Sequence, residues 1–154
     1  MKNVRSVPQK RDVYFNCYFH KMKVVSVNVG LPQEREWQGK TVMTSIFKTA
    51  VANRRKVSFT NIEGDQQADL RVHGGVNKAV YAYDVSYYNY WQNILQRNDW
   101  SYGLFGENLT TEGLTDDAVR IGNVYKIGNT KLQAIQPRFP CVKNQYQVWL
   151  TRHD

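Results

Sequence analysis

The stretch from residue 118 to 143, AVRIGNVYKIGNTKLQAIQPRFPCVK, carries two strand-like segments that run directly into a proline-flanked cysteine. AVRIGNVYKIG and TKLQAIQ are rich in β-branched residues and meet at a glycine and asparagine turn, which is typical of β-strands. The same pattern recurs upstream in KVVSVNVG, GKTVMTSIFK, RKVSFTNI and ENLTT. Many short strands of this kind predict a mainly β fold, a barrel or a sandwich, rather than a doubly wound α/β fold.

One segment departs from the strand pattern, DVSYYNYWQNILQRND at residues 84–99. Its apolar side chains recur at helical spacing after Asp84, a residue suited to cap a helix; they are Tyr87, Tyr88, Trp91, Ile94 and Leu95. We predict one amphipathic helix that packs outside the strands. We expect its aromatic stripe to lie in the core rather than to stack on a ligand.

Length and composition favour a single soluble domain. The chain has 154 residues, enough for one core but not for two comfortable domains. No apolar run approaches the roughly 18 residues that a membrane helix needs. The two cysteines, Cys17 and Cys141, lie far apart and match no disulfide framework or zinc spacing. A reducing compartment, the cytoplasm, is therefore expected.

The positive charge of the chain is concentrated at its start. The net charge is +8, and residues 1–21 hold five basic residues against Asp12. This distribution favours weak, salt-sensitive attraction to polyanions and not a specific nucleic-acid surface. We expect residues 1–21 to form a flexible tail, with docking of VYFNCYFH as an extra strand left open. Residues 22–154 then form the domain.

The stretch GDQQADLRVHGGVNKAV, residues 64–80, contains groups that can hold an anion. Gly74 and Gly75 allow the backbone to approach a ligand closely and to offer N–H groups, and Lys78 would add a positive charge. The alternative is a tight loop in which His73 makes one structural hydrogen bond and Lys78 is solvated. The residues alone leave both open.

A second polar group lies in LFGENLTTEGL, residues 104–114. Glu107 and Asn108 at the start of a strand either position a polar ligand or hold two loops together. Neither stretch has the glycine spacing of nucleotide-binding loops, and no nucleophile elbow is present.

QPRFPCVK, residues 136–143, surrounds a thiol with rigid backbone and positive charge. Pro137 and Pro140 restrict the backbone before Cys141. The cations Arg138 and Lys143 favour the thiolate, the form of cysteine that attacks electrophiles and binds soft metals. Cys141 is therefore predicted to be a chemically active thiol, and its pairing with a histidine such as His73 is also compatible with the sequence.

HGG-x-x-KA, FGENL and QPR-x-PC, in this order, resemble the MOSC domain family, named for the C-terminal domain of molybdenum cofactor sulfurases. The likeness covers roughly residues 22 to 145 and is greatest to small stand-alone bacterial members associated with resistance to 6-N-hydroxylaminopurine. The resemblance implies a β-barrel that binds a molybdenum cofactor of the molybdopterin type, with a family-level association to pyridoxal phosphate binding. It also implies that Cys141 is catalytic, either as the metal ligand or as a sulfur carrier.

The resemblance further implies a set of cofactor-binding residues at the matching motif positions, with Arg138, Lys78 and the glycine backbone as the anion contacts. The full set is His73, Gly74, Gly75, Lys78, Glu107, Asn108, Arg138 and Lys143.

For stand-alone members the implied chemistry is reduction of N-hydroxylated bases and related N-oxygenated small molecules. A separate reductase would supply the electrons, since the chain has no visible flavin, haem or iron–sulfur motif, and homodimer formation is left open. The alternative functions are a non-catalytic cofactor or sulfur carrier, a nucleic-acid-binding barrel and a nonfunctional remnant. Only 13 residues follow Cys141, so we expect a C-terminally truncated barrel.

Overall fold

The computed structural model of the chain describes residues 2–6, 22–71 and 73–138. Within these ranges it contains nine β-strands, one α-helix and one short 3-10 helix, Val76–Lys78. The strands are β1 Lys2–Ser6, β2 Lys23–Val29, β3 Gln33–Trp37, β4 Lys40–Thr44, β5 Thr49–Ala50, β6 Val80–Asp84, β7 Leu109–Glu112, β8 Val124–Ile127 and β9 Thr130–Pro137. The α-helix, α1, spans Val85–Leu95. The prediction of a mainly β fold with a packed helix is confirmed.

Seven of the described strands form one sheet in the order β5-β2-β7-β6-β1-β9-β8. β6 and β7 are parallel, whereas the other neighbours in this sheet are antiparallel. β3 and β4 form a separate hairpin. The described part of the sheet is open, with β5 and β8 at its edges, so the predicted closed barrel is not confirmed.

The sheet is buried on both faces at β6, because successive side chains of a strand point to opposite sides. Val80 and Ala82 belong to an aliphatic core on one face. Tyr81 and Tyr83 belong to an aromatic core on the other face, beneath α1. All five residues of β6 are buried, which makes this strand the structural centre of the described fold.

Helix α1 begins as predicted but packs over a shorter length. The Asp84 side chain caps it by accepting a hydrogen bond from the Ser86 N–H at 3.0 Å, and Tyr88 is buried. Trp91, Ile94 and Leu95 are 36%, 53% and 41% exposed, so the predicted core stripe is wrong for these three residues. The helix is buried against the sheet through its first turns, and its last turn extends beyond the aromatic core.

The strand pattern in RKVSFTNI gives only an isolated bridge between Val57 and Ile62. A turn replaces the predicted strand because the Ser58 hydroxyl accepts hydrogen bonds from the N–H groups of Thr60 and Asn61. Local side-chain hydrogen bonds of this kind compete with strand pairing. The predicted strands in KVVSVNVG, ENLTT and TKLQAIQ are confirmed as β2, β7 and β9.

Lys2–Ser6 differs from the flexible tail expected for the start of the chain. It forms β1 and pairs antiparallel with β6 on one side and β9 on the other. Its backbone groups thereby gain partners on both sides, which fixes the strand within the sheet. Residues 7–21, with Cys17 and VYFNCYFH, lie outside the described residues. Among the helices of the described ranges, none is long and apolar enough to cross a membrane.

Candidate functional site

A cavity lies where the loops after β4, β5 and β9 meet the central strand β6. It brings together four of the predicted site residues, although they come from three separate motifs: His73, Lys78, Asn108 and Arg138. Other residues that line it include Ser45, Lys48, Asp65, Asp69, Tyr81 and Gly106. Cys141 and Lys143 lie outside the described residues, as does any pairing of Cys141 with a histidine.

A buried ion pair forms one wall of the cavity. The Lys48 Nζ contacts the Asp65 carboxylate, and the two side chains are 7% and 2% exposed. Asp65 Oδ1 also accepts a hydrogen bond from the Gly30 N–H at 2.9 Å, which fixes the carboxylate. Burial lowers the pKa of Lys48, and the adjacent Asp65 opposes this effect. The pair places a rigid cation at the cavity without leaving a buried charge uncompensated.

Two glycines allow residues 45–48 to pack deep in the fold. A Cβ atom at Gly30 would lie 2.4 Å from the Phe47 carbonyl oxygen, and one at Gly103 would lie 2.7 Å from the Lys48 carbonyl oxygen. No other residue type permits both approaches without a backbone shift. These close contacts hold Lys48 in place at its backbone, while Asp65 holds it at its ammonium group.

Arg138 lies over the ring of Tyr81, with its guanidinium carbon 4.4 Å from the ring centroid. This is a cation–π geometry. The backbone N–H of Tyr81 donates to Asn108 Oδ1 at 3.1 Å, so the ring is carried by a fixed strand position. Burial raises the pKa of Tyr81 well above its usual value, although the Arg138 charge opposes this. Tyr81 therefore remains protonated at neutral pH.

Two cavity-lining hydroxyls are buried without a hydrogen-bond partner. They are Ser45 Oγ and Tyr81 Oη. Burying a polar group without a partner costs about 1–3 kcal/mol. A polar ligand in this cavity would recover part of that free energy by bonding to both groups.

Glu107 does not line the cavity and is fully buried behind it. Its carboxylate accepts hydrogen bonds from the hydroxyls of Tyr88 at 2.5 Å and Thr110 at 2.7 Å. It also accepts from the N–H groups of Gly103 at 2.8 Å and Phe105 at 3.1 Å. Burial raises the pKa of Glu107, while these hydrogen bonds oppose the rise. The geometry supports the loop-holding alternative for this residue and not contact with a cofactor.

Asn108 lines the cavity, but the protein uses both ends of its amide. Besides the bond from Tyr81 to its oxygen, its Nδ2 donates to the Asn28 carbonyl at 3.3 Å. Asn28 in turn donates to the Glu107 carbonyl at 3.3 Å. The segment 106–108 therefore shapes the cavity wall through hydrogen bonds within the protein.

The glycine pair predicted to contact an anion does not line the cavity. A Cβ atom at Gly74 would lie 2.8 Å from Leu70 Cα, so this glycine serves close packing within the loop. Gly75 has a φ of 89° and precedes the 3-10 helix. Its carbonyl accepts from the Lys78 N–H at 2.9 Å, which turns the chain so that Lys78 lines the cavity.

A model of the MOSC domain matches residues 69–150, more than half of the chain. The chain belongs to the MOSC domain family. This family match includes the segments that supply His73, Lys78, Asn108 and Arg138 to the cavity.

Known relatives of this MOSC domain are longer proteins. The uncharacterized protein YflK of Bacillus subtilis is 44% identical over 120 residues, which is 78% of this chain and 54% of that protein. The protein YiiM of Escherichia coli is 36% identical over 105 residues, 67% of this chain and 47% of that protein. A protein of Gibberella moniliformis named reductase is 33% identical over 108 residues, 68% of this chain and 19% of that protein. The chain thus spans about half the length of its bacterial relatives.

The crystal structure of YiiM from Geobacillus stearothermophilus is similar to this MOSC domain, with a TM-score of 0.60 and 32% sequence identity. The match covers 86% of this chain and 59% of that chain. The fold described above is therefore similar to that of this YiiM protein.

The residues of the cavity suit an anionic, polar cofactor. Three cations line the cavity, Lys48, Lys78 and Arg138, against two carboxylates, Asp65 and Asp69. Among the residues that the structure describes, no group of three or more His, Cys, Asp or Glu is placed to hold a metal ion. The predicted thiolate ligand Cys141 follows Arg138 by three residues and lies outside the described part of the chain.

Lys48, Ser45 and Tyr81 are cavity residues that sequence reasoning missed. Lys48 and Ser45 fall within a stretch with a strand-like pattern, GKTVMTSIFK, in which nothing local marks a binding residue. Tyr81 is one of ten tyrosines, and only the tertiary fold distinguishes it. The sequence did contain one signal for Lys48. Asp65 is a carboxylate within the predicted anion-binding stretch, and a carboxylate that is buried there needs a cation as its partner.

Proposed function

We propose that this MOSC protein binds a molybdenum cofactor of the molybdopterin type at the cavity and reduces N-hydroxylated bases or related N-oxygenated compounds. The observation that supports it most directly is the position of Arg138. This residue lines the cavity together with Lys48 and Lys78 and lies three residues before Cys141 in sequence. The sequence proximity of Arg138 to Cys141 supports a site that uses both residues.

The residues of the chain would divide the work of holding the cofactor. The Cys141 thiolate suits a soft metal, and the cations of the cavity suit anionic groups such as a phosphate. When bound, the cofactor would supply the two-electron redox chemistry of the reaction. The rigid Lys48–Asp65 pair and the fixed Tyr81 ring would orient the substrate against the bound cofactor.

The proposed reaction balances with an external electron source. The N–O bond of R–NH–OH breaks, and two electrons and two protons give R–NH₂ and water. We propose that a separate reductase donates the electrons and that the reaction takes place in the cytoplasm, where Cys141 would stay reduced. The name of the fungal relative, reductase, is consistent with this chemistry but gives no substrate.

The test is the molybdenum content of the folded protein after expression in a host that makes the cofactor. Wild type, Cys141→Ala and the matched control Cys17→Ala are separated by size and analysed for metal. We expect near-stoichiometric molybdenum in wild type and Cys17→Ala, and its loss in Cys141→Ala with folding retained.

Two results would contradict the proposal. Equal molybdenum in wild type and Cys141→Ala would show that the thiol does not bind the metal. No molybdenum in any folded variant would show that the protein does not bind the cofactor. Wild type that holds molybdenum but reduces no N-hydroxylated compound with a chemical electron donor would favour the alternative of a non-catalytic cofactor or sulfur carrier.

A further inference from the structure

Two cations of the cavity have identified partners, whereas two of its neutral groups have none. Lys48 is paired with Asp65, and Arg138 lies over an aromatic ring. The unpaired groups are the hydroxyls of Ser45 and Tyr81. Within residues 2–6, 22–71 and 73–138, the other buried polar side-chain atoms without a partner belong to Asn3 and Trp100, which do not line the cavity.

The chemistry of the two hydroxyls indicates which kind of ligand group could form hydrogen bonds with them. Each is a neutral group that can donate one hydrogen bond and can also accept. The raised pKa of Tyr81 keeps its proton in place, so Tyr81 can donate at neutral pH. A matching ligand group is itself neutral and both accepts and donates. The N–OH group has this property, since its oxygen accepts and its hydrogen donates.

Both hydroxyls are held on rigid parts of the fold. Tyr81 lies on β6, paired with β1 and β7 on its two sides, and its backbone N–H is bonded to Asn108. Ser45 begins the segment 45–48, in which Phe47 and Lys48 pack closely against Gly30. Hydrogen-bonding groups fixed in this way discriminate strongly, because a ligand lacking the matching atom leaves them unpaired.

We propose that the hydroxyls of Ser45 and Tyr81 recognise the N–OH group of the substrate and are specificity-determining residues of the site. This inference rests on the proposed function for its substrate class, but it concerns binding and does not require turnover. It explains how the site would favour the N-hydroxylated substrate over its own product, which differs by one oxygen atom.

The test compares the binding of 6-N-hydroxylaminopurine and adenine, which share a ring system and differ by that oxygen. Calorimetric titrations use wild type, Tyr81→Phe, Ser45→Ala and the control Tyr125→Phe. Tyr125 is a buried tyrosine on β8 whose hydroxyl accepts from Asn123 and which does not line the cavity. We expect wild type and the control to prefer the hydroxylated base by about tenfold, and Tyr81→Phe to bind both bases almost equally. Ser45→Ala should reduce the preference in part.

Equal binding of the two bases by wild type would overturn the inference, and so would an unchanged preference in Tyr81→Phe. Inorganic phosphate is titrated in parallel. Phosphate binding that depends on Tyr81, without preference for the hydroxylated base, would assign the hydroxyls to an oxyanion and contradict the inference. Should Tyr81→Phe fail to fold, as judged by circular dichroism, a full preference retained in Ser45→Ala would contradict it instead.

The molybdenum content of the same samples separates this inference from the proposed function. If protein without molybdenum shows a preference that depends on Tyr81, the binding inference is supported and the proposed reductase function is contradicted. Stoichiometric molybdenum with no effect of Tyr81→Phe on the preference would keep the cofactor site and remove the inference.

Discussion

The Arg138 guanidinium lies over the Tyr81 ring at 4.4 Å from its centroid, which joins the end of β9 to the central strand β6. The ring is buried and gives the cation a fixed platform. In sequence, Arg138 lies three residues before the predicted active thiol, Cys141. The cavity thus rests on the central strand through Tyr81, whereas its other lining residues lie outside the strands.

Replacing Lys48 by Met should destabilise the fold by about 3–5 kcal/mol, because it leaves Asp65 as a buried carboxylate without its cation. Urea unfolding followed by fluorescence measures the change. Lys126→Met, which removes an exposed lysine from β8, is the control and should cost less than about 0.5 kcal/mol. The double variant Lys48→Met with Asp65→Asn should recover part of the loss. Lys48→Met and Lys126→Met of equal stability would show that the buried pair is not structural.

Gly103→Ala should be more destabilising than Gly122→Ala by about 1–3 kcal/mol. The two glycines have φ angles of 93° and 94°, so an alanine suffers the same backbone strain at both. The two sites differ in the room available for a Cβ atom. A Cβ at Gly103 would lie 2.7 Å from the Lys48 carbonyl oxygen, whereas a Cβ at Gly122 would have no described atom within 4 Å apart from its own chain neighbours. Differential scanning calorimetry compares the variants. Equal melting temperatures would mean that the close approach at Lys48 is absent.

The sequence predicted those parts of the fold that depend on local pattern. β2, β7 and β9 follow from β-branched composition, and the start of α1 follows from the capping residue Asp84. β1 and the turn at Ser58 were missed because their structure depends on which groups are available as partners. A polar stretch such as Lys2–Ser6 becomes a strand only where two other strands offer hydrogen bonds on both sides.

The candidate site likewise contains residues that the sequence could predict and residues that it could not. The motifs that carry His73, Lys78, Asn108 and Arg138 could be identified from the sequence, and the fold brings these residues to one cavity. Sequence could not distinguish whether Glu107 contacts a ligand or holds loops, because its four donors come from separate positions that only folding brings together. Lys48 was missed because its partner Asp65 lies in a different loop.

Tyr88→Phe should destabilise the protein by about 1–3 kcal/mol, because it removes one donor to the buried carboxylate of Glu107. The same hydroxyl also accepts from the Gly103 N–H at 3.1 Å. Tyr90→Phe is the matched control on the same helix, since Tyr90 is 56% exposed, and it should be close to neutral. Chemical unfolding at pH 7 measures both. A Tyr88→Phe protein as stable as Tyr90→Phe would contradict the buried network.

The stability of the protein should fall as the pH rises through the raised pKa of Glu107. Burial raises this pKa above the ordinary value of 4.5, so the folded chain keeps a proton that the unfolded chain has already released. The contribution is fully present below pH 4.5 and is lost on passing through the raised pKa. Free energies of unfolding are compared between wild type and Glu107→Gln from pH 4 to pH 9. Glu107→Gln should be less stable at every pH but should lack this decline, and parallel profiles would contradict the assignment.

Arg138→Met should lower the molybdenum content of the folded protein about tenfold under limiting cofactor, since a charge-assisted contact to an anionic group contributes roughly this much. Methionine retains much of the packing over Tyr81 but not the charge, so the fold should persist. Arg120→Met is the control, because Arg120 is exposed and donates to the Asp117 carbonyl outside the cavity. Elemental analysis of size-separated protein measures the metal, and circular dichroism verifies the fold. Equal metal in the two variants would mean that the Arg138 charge does not contact the cofactor.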